Sequence, residues 1–235
     1  MSETPKKHWP GVPDDCALYR DYTEESRVLF VSFSGLRYKL DAAPNFVFRR
    51  SLKGLPIKVL YLRDLERAWY LRGLRGATRG VEETVALLRA EAESVRARRV
   101  ILAGYSLGGF AALLHGSLLG ADEVHAFSPQ TFLSFRRRLL AWDNRWLRRV
   151  TPLYFGPARR FHELRPWLAK AEKKTRLHVH FAGDSRLDTI HAGYVSDLPG
   201  VIAHDHQKGE HELISALTES GSLRAIFEHA IAGES

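Results

Sequence analysis

One cysteine and one methionine occur among 235 residues. Cys16 has no second thiol for an internal disulfide, and no Cys–His spacing outlines a structural zinc site. No apolar run approaches the roughly 18 to 20 residues that span a bilayer. The opening residues, 1–15, lack the apolar stretch of a secretion signal, so the expected setting is reducing and cytoplasmic. No G-x-x-x-x-G-K-[ST] or G-x-G-x-x-G is present, which leaves nucleotide binding without a motif. The 18 glycines and 10 prolines are scattered without period, against a collagen-like or low-complexity chain. What remains is 45% hydrophobic and 26% charged, ordinary for a single large α/β domain.

Charge is less evenly spread. The formal net charge is +8, and residues 132–176 hold 13 Lys/Arg against Asp143, Glu163 and Glu172. That segment alone carries +10, the difference of those two counts, so the rest of the chain is slightly acidic. A basic block of this kind suits a solvated face, an acidic substrate or an anionic membrane surface. Nucleic acid is not expected as a partner, because charge is all that points to it.

Apolar runs at 27–35, 57–62, 98–104, 123–127 and 177–181, with a further one at 200–203, read as strands bounded by charge, glycine or proline. Residues 80–95, 107–120 and 213–230 have the apolar spacing of helices. Strands alternating with helices predict βαβ units and a mainly parallel sheet covered on both faces. Residues 1–26 read as a polar lead-in and 27–230 as the domain. Within 132–176, Phe135, Leu139, Trp142, Trp146 and Val150 recur at helical steps, with arginines around the other faces. This predicts a basic helical lid inserted in the domain.

The sequence Gly104-Tyr105-Ser106-Leu107-Gly108 is G-x-S-x-G, placed after one predicted strand and before one predicted helix. Such a turn presents a serine hydroxyl in strained backbone geometry, and its glycines admit close neighbours. On this motif and its setting, residues 27–230 resemble the α/β-hydrolase superfamily. Ala126-Phe127-Ser128-Pro129-Gln130 and Asp188-Thr189-Ile190-His191-Ala192 are loosely similar to bacterial hydrolase-like domains of unassigned substrate. The resemblance implies an α/β-hydrolase fold with the lid after the sixth strand, and a triad in the chain order serine, acid, histidine.

Carried onto this chain, the nucleophile is Ser106. The loop after the strand at 177–181 offers two carboxylates. Asp188 is preferred as the acid because it lies farther past the strand, and Asp184 is the alternative. His211, in Gly209-Glu210-His211-Glu212 before the last helix, is the expected base. His204 and His206 are rivals at a strand end; their spacing also suits a metal pair, but no third ligand is placed. The backbone amides of Leu107 and Leu36 are the expected oxyanion donors, with Ser34 standing where the superfamily's turn has a histidine. His115 and Trp69-Tyr70 are read as core. The implied activity is a serine hydrolase acting on a carboxylic ester or thioester through an acyl-enzyme, with no metal or cofactor. The expected substrate is a small acyl compound, anionic or amphipathic, and the basic lid suits peripheral membrane contact. The alternatives are an acyltransferase on the same scaffold and a non-catalytic binding protein.

Overall fold

A computed structural model describes residues 12–36, 45–172, 174–209 and 213–233. Its strands are β1 (Leu18–Asp21), β2 (Val28–Phe33), β3 (Lys58–Leu62), β4 (Arg99–Tyr105), β5 (Glu123–Phe127), β6 (Arg176–Phe181) and β7 (Val201–Asp205). They form one sheet in the order β1-β3-β2-β4-β5-β6-β7. Every pairing is parallel except β1 with β3. The helices are α1 (Arg49–Leu52), α2 (Val81–Ser94), α3 (Leu107–Leu119), α4 (Phe135–Leu140), α5 (Leu147–Val150), α6 (Arg165–Leu168), α7 (Arg186–Gly193), α8 (Leu213–Glu219) and α9 (Ser222–Ala232). None is long and apolar enough to cross a membrane among the described residues.

Successive strand side chains point to opposite faces, so a doubly covered parallel sheet buries two cores. Leu29, Val31 and Phe33 of β2 pack with Leu102, Val124 and the apolar helix α3 on one face. Phe30, Ile101, Ala103 and Phe127 pack with Phe227 of α9 and Leu213 of α8 on the other. Trp69 and Tyr70 are fully buried in the first core, as expected.

Three expectations are corrected. The lead-in contains β1, which pairs Leu18 with Leu62 and joins the sheet at its edge. Its Arg20 and Tyr22 both bond Glu91 of α2, a tie that local pattern cannot announce. The predicted terminal helix is two, α8 and α9, parted by Gly221 at φ 77°, a left-handed conformation that stops a helix. The basic segment follows the fifth strand, and it is not one helix. Trp142 and Trp146 take φ of 51° and 58°, which ends α4 and starts α5, and Trp142 faces solvent at 82% exposure instead of a core.

His115 of α3 is completely buried, stacked on Phe33. Its Nδ1 faces the Ala111 carbonyl at 2.8 Å. Burial lowers its pKa from 6.5 to about 4, against a smaller opposing effect of that hydrogen bond. The unfolded chain therefore binds a proton between those values that the native chain does not, and stability must fall as pH falls through that window. Above pH 6.5 the group contributes no pH dependence. His115→Leu is expected to flatten this part of the pH dependence, by at most about 3 kcal/mol in total. Urea denaturation at a series of pH values below 6.5 measures it; parallel curves for the two proteins would refute the assignment.

Candidate active site

Ser106 sits between β4 and α3 with φ 53° and ψ −114°. A non-glycine residue held there stores roughly 1 to 3 kcal/mol of strain, so its surroundings must enforce it. They do so through backbone. The Ser106 N–H donates to the Phe127 carbonyl at 2.8 Å, and its own carbonyl accepts from Phe110 N–H at 3.1 Å. A Cβ on Gly104 would stand 2.0 Å from the Gly108 carbonyl oxygen, and one on Gly108 would stand 2.2 Å from that of Phe33. Both glycines of the motif are thus demanded by packing. Gly35 adds a third such approach, its missing Cβ 2.9 Å from the Tyr105 carbonyl oxygen.

These approaches press the loop after β2 against the start of α3. Leu36 lies on that loop, and Leu107 is the first residue of the helix, where backbone N–H groups have no intrahelical acceptor. The two expected oxyanion donors therefore belong to backbone segments packed together beside Ser106. Ser34 is buried with its hydroxyl oxygen unpartnered among the described residues.

His211 lies outside the described residues. The segment leading to it is held by β6's following loop. Asp205 accepts from Gly183 N–H at 2.9 Å and Gln207 N–H at 2.7 Å. Asp184 N–H donates to the Gln207 carbonyl at 3.1 Å. The Asp184 carboxylate accepts from Gly209 N–H at 3.2 Å, two residues before His211 in sequence. Asp188 is instead in the first turn of α7, 2% exposed, with Arg145 of the basic segment 3.4 Å from its Oδ1. Its helical position and its partner differ from the loop carboxylate expected there.

Arg145 also bonds Asp143 at 3.0 Å, and Asp143 accepts from His191 Nε2 at 3.1 Å. Thr131 N–H donates to His191 Nδ1 at 3.1 Å, which leaves the ring proton on Nε2 facing Asp143. Burial opposes charge on Asp143, but the His191 and Arg145 hydrogen bonds prevail and hold its carboxyl well below the usual range. Arg138 is buried in the same network, 3.5 Å from Asp143. This pins the basic segment to α7. Its outer side carries exposed Phe135, Leu139, Leu140, Trp142, Leu147 and Phe155. The Tyr154 ring meets Phe135 edge-on at 6.0 Å.

His204 and His206 lie toward the face of the sheet shared with Phe127 and are hydrogen-bonded to His178 and His180. The period-two placement of His178 and His180, and of His204 and His206, is the sequence signal for this cluster, and the further ligands come from β5.

A seven-stranded, mostly parallel sheet with a strained serine between strand and helix defines the α/β-hydrolase fold, and the chain has it. Solved structures agree. It is similar to the capsule O-acetyltransferase of Neisseria meningitidis serogroup A, with a TM-score of 0.68 at 13% identity over 92% of each chain. It is also similar to the monoacylglycerol lipase of Paleococcus ferrophilus, with a TM-score of 0.57 at 14% identity, over 93% of this chain and 99% of that one. Brefeldin A esterase, a bacterial homologue of human hormone-sensitive lipase, gives 0.53 at 17% identity, over 97% and 80%. No family model matches the sequence, and no curated protein matches it.

Replacing Gly104 with alanine should force the elbow apart, because the obstructing atom is backbone. The expected loss is roughly 1 to 3 kcal/mol or more in denaturant unfolding. A variant as stable as the parent would contradict the packing described.

Proposed function

We propose that the protein is a serine acyl-transfer enzyme in which Ser106 is the nucleophile, His211 the base and Asp184, in place of Asp188, the orienting acid. The single observation carrying this is the Ser106 backbone, strained at φ 53° by glycine-enforced contacts. Asp184 is preferred because its carboxylate already bonds the segment leading to His211, whereas that of Asp188 is paired with Arg145.

In this reading Ser106 Oγ bonds to the carbonyl carbon of an ester or thioester while its proton passes to His211. The developing oxyanion is received by the Leu107 and Leu36 amides. The carbon–heteroatom bond then breaks, and the leaving alkoxide or thiolate takes the proton from His211. Water completes hydrolysis by the reverse steps, leaving a free acid. No metal or cofactor takes part in these steps.

A second reading is O-acyl transfer, in which a hydroxyl of an acceptor replaces that water. It is favoured by the higher similarity to the capsule O-acetyltransferase than to the lipase and esterase above. A histidine variant of that O-acetyltransferase has been solved in complex with CoA, which makes an acyl thioester the donor to test first.

The substrate is expected to be amphipathic and to be met at an anionic lipid surface. Trp142 and Phe155 are each 82% exposed, and Arg136, Arg137 and Arg148 are exposed among the same residues. Apolar side chains fringed by arginine suit the boundary between headgroups and acyl chains.

A fluorophosphonate probe should label the wild type and not Ser106→Ala. Asp184→Asn should slow labelling by about 10³-fold or more, and Asp188→Asn by far less. Labelling of Ser106→Ala, or the opposite ranking of the two aspartates, would reject the corresponding role. Product analysis with acyl thioester and hydroxyl acceptors separates hydrolysis from transfer.

For the surface, Trp142→Ala or Phe155→Ala should weaken sedimentation with phosphatidylserine vesicles by about 10- to 100-fold, from roughly 1.5 to 3 kcal/mol of lost burial. Arg136→Glu with Arg148→Glu should remove the preference over neutral vesicles, at about 1 kcal/mol for each lost cation. Arg138 is unsuited to reversal, being buried against Asp143. Indifference of the wild type to anionic lipid would overturn the surface assignment.

A further inference from the structure

The face of the sheet opposite α3 carries a cluster of ligand-bearing side chains that the proposed reaction does not use. Glu123 Oε1 lies 2.9 Å from His125 Nε2 and 3.4 Å from His178 Nε2. One ligand atom from each of these residues falls within 4.8 Å of the others. His178 Nε2 is buried and has no hydrogen-bond partner among the described residues. A buried imidazole nitrogen without a partner is costly unless something else occupies its direction.

We propose that Glu123, His125 and His178 bind a divalent metal ion of Zn²⁺ type, with a fourth position left to water. Zinc bonds of about 2.0 to 2.1 Å in tetrahedral array place neighbouring donors roughly 3.3 Å apart. The observed 2.9 and 3.4 Å lie on either side of that value. Two imidazoles and one carboxylate suit zinc better than magnesium or calcium, which take oxygen ligands.

The outer groups complete the argument. Metal-bound histidines almost always donate their other ring N–H to an acceptor, and ligating carboxylates are themselves hydrogen-bonded. Here His125 Nδ1 is 3.1 Å from His180 Nε2, and His178 Nδ1 is 2.9 Å from His204 Nε2. His180 Nδ1 in turn is 3.1 Å from His206 Nε2. The far oxygen of Glu123 holds Arg99 at 2.5 Å and Arg176 at 2.7 Å. These guanidiniums fix the carboxylate but repel a cation, so affinity is reduced relative to the same ligands without them.

Metal also fixes the direction of every proton in the chain of rings. Without it, the Glu123 hydrogen bond needs N–H on His125 Nε2, so His180 and His206 must also donate from Nε2. With the metal on His125 Nε2, the proton moves to Nδ1 and the chain reverses: His125 donates to His180, and His180 to His206. His178 likewise donates to His204. The ion thus joins β5 and β6 directly and β7 through hydrogen bonds. Glu123 is four residues before Phe127, whose carbonyl meets Ser106, so the ion lies about 13 Å from that end of the sheet. Its role is structural.

The test is titration of the full chain with Zn²⁺ and Co²⁺. The expected result is one saturable ion per chain, a visible Co²⁺ spectrum of four-coordinate type, and a Tm raised by Zn²⁺. His178→Leu should weaken binding at least about tenfold. Should that variant not fold, ¹⁵N spectra of wild-type histidines serve alone: His180 and His206, which touch no ion, should exchange the nitrogen that bears hydrogen when Zn²⁺ is added. Absence of saturable binding, equal affinity in a folded His178→Leu, or unmoved histidine signals would each overturn the proposal.

Discussion

The close approach of four backbone segments around Ser106 is the constraint on which the rest of the molecule depends. The end of β4, the start of α3, the loop after β2 and the end of β5 meet there without side chains between them. Ser106 donates its N–H to Phe127, Gly108 lies against Phe33, and Gly35 lies against Tyr105. The strain at Ser106 is therefore shared among the three central strands. Their register follows: Phe33 pairs with Gly104 and Tyr105 with Phe127, so the strands end level at the site.

This part of the molecule was legible because its causes are local. The alternation of Phe30 with Leu29 and Val31, and of Ile101 with Leu102, already assigns residues to two cores. Gly104 and Gly108 flank Ser106 at a spacing for which a strand-to-helix turn is the economical explanation. The basic segment was misread because its causes are distant. Phe135, Leu139 and Trp142 have helical spacing, but the buried partner of their neighbourhood is Asp143. That carboxylate draws in Arg138, Arg145 and His191, the last of them 48 residues away. A carboxylate satisfied by α7 decides which way the segment turns, and the apolar stripe is left facing outward.

The choice between Asp184 and Asp188 has the same character. Four residues apart on one connection, they are equivalent by residue type and nearly so by position. Among the described residues, Gly209 N–H bonds the Asp184 carboxylate and Arg145 lies beside that of Asp188, and the proposal of Asp184 rests on the first of these contacts. The Asp184 bond to Gly209 ties the connection after β6 to the one after β7. The Asp205 ties to Gly183 and Gln207 extend that framework across both connections. By contrast, the Arg145 pairing makes Asp188 an anchor for the basic segment.

That anchoring bears on how the segment acts. Its inner side is tied by buried ion pairs, and removing one partner from such a network leaves an uncompensated charge costing several kcal/mol. Wholesale opening as a flap would break these pairs together. A segment fixed at its root and apolar at its tip fits the surface contact proposed above, since the tip can meet a surface while the root stays in place. On this account the arginines divide: Arg138 and Arg145 hold the segment to the domain from within, Arg137 holds it from the rim through Glu163 and the Tyr194 ring, and Arg136 and Arg148 present charge outward. One run of basic residues, uniform in sequence, thus serves two electrostatic purposes separated by the position of Asp143.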